Sequence, residues 1–312
     1  MPADSLVTMS GSATTPPVEA GFLSGGEFGE WTPTAEEYFA DSRYLNRSSL
    51  EVFRRSIPLF YRRYIARDLE PIPPSEAMAL GSAVHVLLLE PHDANRVVVM
   101  PDFNARTIVG KEARAAFQAE HEGSIVLNAE QYELAWSMAS AVGSNAMARR
   151  LLKAEGQTEI ALRWADSRTG LPSKARVDKV IENSIEQGVG DSSDAVIIDV
   201  KTALDPFPNG WQKAVLNYGF HRQAAFYQRA WQTLHGQAPQ VFFIVIGKSP
   251  PHESIVYELN ESFLHLAREE NARLMDELCT RLDTDDWSGR FTNGVVPLSP
   301  PSWAMRECSS SW

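Results

Sequence analysis

From Thr158 onward the hydrophobic pattern of the chain changes period, and this limits the possible folds more than any other feature. Thr158 to Trp164 alternates as a half-buried strand does, Asp166 to Gly170 reads as a turn, and Ser173 to Ile181 alternates again. After a loop rich in Gly, Asp and Ser, Ala195 to Thr202 is a third strand with an apolar face. Trp211 to Leu234 has helical spacing. Val241 to Ile246 and Ile255 to Leu259 return to strand patterning, and Glu261 to Leu282 is an amphipathic helix. Strands bracketed by helices predict an α/β layer fold around one mixed central sheet.

The first half is mainly helical in pattern. Ser48-Ser49-Leu50-Glu51 has the form of a capping box opening a helix towards Arg67, with Pro58 interrupting it. Ser75 caps a second helix, Glu76 to Leu89, apolar nearly all round and closed by Pro91, which predicts burial. A helix is expected around Glu112 to Glu120. Ala129 to Leu152 reads as one or two helices, interrupted near Gly143.

Charge is unevenly placed. The net charge of −11 argues against a polyanionic partner. Residues 1 to 42 hold seven acids and no Lys or Arg, while residues 43 to 67 hold seven arginines against the single acid Glu51. The first stretch, rich in Ser, Thr, Gly and Pro, predicts a flexible acidic tail. The second is either a solvated helix face or a phosphate-binding surface. Two cysteines exclude a disulfide framework and a four-cysteine metal site. The absence of a long apolar run or a secretory pattern predicts a cytoplasmic protein without a membrane partner.

Of the seven lysines, only Lys201 follows a carboxylate by two positions, in Asp199-Val200-Lys201. On a strand Asp199 and Lys201 share a face. Alone the pair reads equally as an ion pair. Asp178 ends the polar face of the preceding strand, alternating with Lys174 and Arg176, and Glu159 holds a similar position one strand earlier. Three carboxylates brought together repel one another, and a hard divalent cation removes that repulsion. His85 lies one turn after Gly81 on the buried helix. It is either a core histidine or a ligand, with Gly81 allowing close approach. Gln223 and Tyr227, four apart, share a helix face. They are either packing residues or a polar handle on a carboxylate or a nucleic-acid backbone.

Taken in order, these residues resemble the PD-(D/E)XK nuclease superfamily, and within it the RecE-like (exonuclease VIII type) exodeoxyribonucleases. The resemblance runs through Asn46-Arg47-Ser48-Ser49-Leu50, Gly81 to His85, Arg106-Thr107 to Gly110-Lys111, Glu159, Lys174 to Asp178, Asp199 to Thr202, and Tyr218 to Tyr227 with its Q-x-x-x-Y pattern. It implies an exonuclease domain over residues 43 to 285 and a C-terminal tail over 286 to 312.

The same resemblance implies that His85, Asp178, Asp199 and the Val200 carbonyl hold Mg²⁺, with Mn²⁺ able to substitute. Lys201 would orient the attacking water, and Glu159 would be a ligand or a supporting acid. Gln223 and Tyr227 would steady the site or the DNA, with Arg54, Arg55 and Arg176 as candidates for holding phosphate. The implied activity is ATP-independent removal of nucleotides from double-stranded DNA ends, 5′ to 3′, generating single strands for recombination. A homo-oligomer beside a RecT-like annealing protein would be the setting. Two other readings remain: a non-catalytic DNA-binding or assembly protein on the same fold, and a restriction-type endonuclease.

Overall fold

The computed structural model describes residues 22–69, 75–104, 106–191, 193–291 and 294–300. Six strands form one mixed sheet: β1 (Gly29–Trp31), β4 (Gln157–Ala165), β5 (Pro172–Glu182), β6 (Ala195–Ala203), β7 (Gln240–Gly247) and β8 (Ser254–Glu258), neighbours in that order. Only β6 and β7 run parallel; the other neighbours are antiparallel. A small parallel pair, β2 (Val97–Val99) and β3 (Ile125–Leu127), stands apart.

Both faces of the sheet are covered, as the strand patterning predicts. One core gathers Phe53, Phe60, Trp164, Val177, Ile197, Phe226 and Phe243. It lies beneath α2 (Arg47–Arg55), α3 (Ile57–Phe60), α8 (Pro208–Tyr218), α9 (Phe220–His235) and α10 (Glu261–Thr284). The other gathers Val84, Leu87, Met138, Leu151, Ile198 and Ile244 beneath α4 (Glu76–Leu89), α6 (Ala129–Val142) and α7 (Ala146–Lys153). α5 (Ile108–Glu120) follows β2 and is capped by Thr107. Among the described residues no helix is long and apolar enough to cross a membrane.

Three boundaries differ from the sequence expectation. The α2 cap is Asn46, two residues before the expected Ser48; its side chain accepts from Ser49 N–H, and the Ser49 hydroxyl accepts in return from Asn46 N–H, completing a capping box. Ser56 then starts α3, so Pro58 sits in a first turn, where its missing N–H costs nothing. The expected helix from Trp211 to Leu234 is two helices, divided at Gly219, whose φ of 68° is left-handed.

The expected flexible tail over residues 1 to 42 is corrected where the chain is described; residues 1–21 lie outside the described residues. β1 pairs with β4, placing Trp31 opposite Ala161. The Arg163 guanidinium lies 3.5 Å from the Trp31 ring centre and 2.7 Å from Asp41, and the Lys174 ammonium donates to the carbonyls of Tyr38 and Asp41. Lys174 is fully buried, and burial lowers its pKa to about 8. Asp41 and Glu27 thus find a distant counter-charge in Arg163 of β4, and Glu30 lies 3.3 Å from His235 of α9. At the other end, residues 301–312 of the expected C-terminal tail lie outside the described residues. Within 286–291, Trp287 stacks on Phe60, and Arg290 pairs with Glu277 at 2.6 Å and donates to the Arg54 carbonyl at 2.8 Å.

Deleting residues 1–42 should therefore destabilise the protein, because it removes the β1–β4 pairing, the buried Tyr38 ring and the Asp41–Arg163 ion pair. Losing a large buried aromatic costs about 3–5 kcal/mol, so the melting temperature should fall by roughly 10 °C. An unchanged melting temperature in differential scanning calorimetry would show that the segment is not part of the folded unit.

Candidate active site

The β5–β6 ladder runs from Glu182–Ala195 to Lys179–Ile198 and ends there, while β6 continues beside β7 as far as Ala203. Just past the parting, the Val200 N–H donates 2.8 Å to the Asp178 carboxylate, a side chain taking a strand's acceptor role. The Val200 carbonyl accepts from His85 Nε2 at 2.7 Å, which brings α4 to the same strand edge. His85 Nδ1 stands 3.4 Å from Asp178. Alternation sends Asp199 and Lys201 to the α9 side of β6.

Among the described residues one set of three metal-capable side chains meets: His85, Glu159 and Asp178 each offer a ligand atom within 4.8 Å of the others. Glu159 lies between Thr158 and Ile160, which keep register with Lys179 and Val177, yet its own φ is 53°. Such a conformation is unfavourable for a non-glycine residue and is typical of functional sites. Arg176 pairs with Glu159 at 2.8 Å. Asp199 stands outside this set: it pairs with Lys201 and accepts from Gln223 Nε2 at 3.1 Å. Gln223 also donates 2.7 Å to the Tyr227 hydroxyl.

These groups share one electrostatic problem. Asp199 is 1% exposed, and burial lifts its carboxyl to about 6 despite Lys201, with the Asp178 charge adding to the rise. Burial likewise lifts Glu159 to about 7, again with Asp178 contributing and Arg176 opposing. Tyr227, buried beside the same acids, is held far above the usual phenol range.

His85, Glu159, Asp178, Arg176, Gln223 and Tyr227 line one cleft of about 420 Å³. The sequence reading did not assign a role to several of its other walls: Tyr38 and Phe39 of α1 (Ala35–Ala40), Glu90, Arg96, and Arg47 from the Asn46 to Leu50 motif. The signal for Arg47 was its place as the first residue after the α2 cap. Arg54 and Arg55 do not line the cleft; both pair with Glu51, at 2.7 and 3.0 Å. Lys174 is sequestered beneath α1 rather than sharing the site with Asp178. Among the described residues nothing lies within 4 Å of where a side chain at Gly81 would begin. The Arg106 to Lys111 stretch builds the start of α5, through Thr107, and not the cleft.

The donors fit a divalent cation. Two carboxylates, a backbone carbonyl and one imidazole suit a divalent cation, whose charge would offset the burial and the nearby Asp178 carboxylate that raise the Glu159 and Asp199 pKa values.

Residues 62–292 match the family described as "PDDEXK-like domain of unknown function (DUF3799)". Among solved structures, a protein from Eubacterium rectale named as a proposed exonuclease is similar in fold, with a TM-score of 0.57 at 13% identity, covering 90% of this chain and 100% of that one. The protein SSO0001 aligns at 12% identity over 78% of this chain and 87% of its own, but its TM-score of 0.24 is too low to bear on the fold. No curated protein matches the sequence.

A carboxyl whose pKa is raised on folding destabilises the native state as pH climbs from its unfolded to its folded value. For Asp199 and Glu159 that window runs from 3.8 and 4.5 up to about 6 and about 7. The penalty is absent below it and complete above it. Millimolar Mg²⁺ or Mn²⁺ should therefore raise the melting temperature clearly at pH 8 and little at pH 5. Equal stabilisation at both pH values, measured by scanning fluorimetry, would contradict this assignment.

Proposed function

The chain belongs to the PDDEXK-like family, and from that premise we propose that it is a divalent-metal-dependent nuclease hydrolysing phosphodiester bonds of DNA. The parting of β5 and β6 carries this reading, because it brings Asp178, Glu159 and His85 into one cleft, with the Asp199–Lys201 pair joined to its wall through Gln223. A scaffold gains nothing from such a cluster, which costs stability in proportion to its buried charge.

Under this reading His85, Glu159, Asp178 and the Val200 carbonyl are the groups that would hold the ion, with Asp199 adjoining them. A bound ion supplies charge neutralisation at the phosphate and acidifies water. Lys201 sets an ammonium beside Asp199, where it can orient water and balance charge on the scissile phosphate. Gln223 bridges Asp199 and Tyr227, fixing the carboxylate's direction while its second oxygen stays on Lys201. Arg47, Arg96 and Arg176 line the cleft and suit phosphates read without regard to sequence.

The finer reading is an exodeoxyribonuclease acting on double-stranded ends with Mg²⁺, from the 5′ end and without ATP, yielding single strands for recombination. Its support is the RecE-like order of motifs together with a cleft whose walls offer arginines and carboxylates, while its Asn46 and Gln223 are engaged in the α2 cap and with Asp199 and Tyr227. A RecT-like annealing protein and self-association of the chain belong to the same reading.

Linear duplex should be degraded with Mg²⁺ and not with EDTA, while relaxed closed circles persist. Efficient cutting of circles would remove the exonuclease claim and leave a nuclease. Persistence of both substrates with Mg²⁺ and with Mn²⁺ would sink the nuclease reading.

Asp199→Asn separates function from stability. It should lower turnover about 100-fold or more, yet hold or raise the metal-free melting temperature at pH 8, since a strained buried charge is gone. Lys201→Ala and Asp178→Ala should lower turnover similarly. Near wild-type turnover in any of the three variants at matched Mg²⁺ would show that the residue has no part in the chemistry.

A further inference from the structure

Phe39 is an aromatic side chain that the fold leaves without cover, 70% exposed, on the wall of the cleft that also holds His85 and Asp178. Its position is built rather than incidental. α1 opens with a complete capping box between Thr34 and Glu37, which fixes so short a helix despite its few internal bonds. Tyr38 is buried, and its carbonyl accepts from Lys174. Successive helical residues point about 100° apart, so burying Tyr38 turns Phe39 outward. The two rings meet edge to face at 5.3 Å, which limits the swing of Phe39. Leaving such a ring in water forfeits its burial.

The cleft supplies the other half of the argument. Arg47, Arg96 and Arg176 line it together with Phe39. They contact the Tyr218 carbonyl, Glu90 and Glu159 in turn. Unlike Arg54 and Arg55 they do so at the cleft wall, where a phosphate can share them. Arginines that can follow a phosphate backbone, interleaved with an aromatic face, are the chemistry that binds single-stranded nucleic acid, since every base has a stackable face. An aromatic beside the cluster of acids suits a base freed from its partner better than one still paired within a duplex.

We propose that Phe39 is a nucleobase-stacking residue that takes the base of an unpaired terminal nucleotide while the cleft arginines hold its backbone. The inference rests on the nuclease reading for its substrate class and adds a residue lying outside the matched segment 62–292. It assigns the N-terminal segment a part in substrate binding as well as in stability.

The test uses the full chain with oligonucleotide duplexes carrying 2-aminopurine in a short unpaired 5′ or 3′ end, in Ca²⁺ or EDTA so that binding is read without cleavage. Wild type should quench the probe at one terminal position. Phe39→Ala should lose that quenching and bind about 5- to 150-fold more weakly, Phe39→Trp should keep both, and all three melting temperatures should agree. In Mg²⁺, an abasic residue at the quenched position should slow wild type and leave Phe39→Ala no slower than on intact DNA.

Equal quenching by wild type and Phe39→Ala overturns the proposal. So does equal slowing of intact and abasic substrates by the substitution, as does a change confined to the oligomeric state, which would make the ring a contact between chains. Phe39-dependent quenching without cleavage in any metal would sink the nuclease reading and leave the stacking site standing.

Discussion

Where β5 leaves β6, the Val200 N–H has lost its strand partner, and the Asp178 carboxylate takes its place at 2.8 Å. That bond fixes an acid at the mouth of the gap, and the Val200 carbonyl at the same edge accepts from His85 of α4. Alternation along β6 sends Asp199 and Lys201 to the opposite face beside Gln223. Helices from both layers thus reach one strand edge, α4 from one side and α9 from the other. The two hydrophobic cores hold the layers at the separation this requires.

The arrangement works against stability locally. Glu159 and Asp199 are carboxyls whose burial resists ionisation, and Glu159 sits on a left-handed backbone besides. An unaided sheet edge would not collect such costs, and their concentration at one cleft is the physical mark of a site. The N-terminal segment contributes from the other wall. Arg163 and Lys174 gather its backbone and its acid Asp41, and in doing so place α1 over the cleft.

Period carried most of the fold. The strands, α4 with its Ser75 cap and the covered sheet follow from alternation and spacing, because burial on two faces leaves few other solutions. What stayed hidden was long-range. The acids of residues 22–42 look solvated in sequence, since Arg163 and Lys174 lie more than a hundred residues away. The arginines of α2 look available, but Glu51 satisfies Arg54 and Arg55 within one turn, while Arg47 lines the cleft unannounced. The division at Gly219 was readable as a glycine, though nothing local showed that the helix would resume at once. For the site, Asp199 and Lys201 were visible as a same-face pair and Asp178 as the acid ending the preceding strand's polar face, but only Asp178 of the three lines the cleft. The meeting of His85 with Asp178 needed the fold.

The central claim is that the gap between β5 and β6 is a divalent-cation site. Anomalous scattering from crystals soaked in Mn²⁺ locates such an ion without reference to activity. The account predicts a peak bonded to Asp178 with His85, Glu159 or the Val200 carbonyl beside it, and its loss in Asp178→Asn. A fully soaked crystal with no peak in the cleft, or with its peaks on surface carboxylates alone, would contradict it.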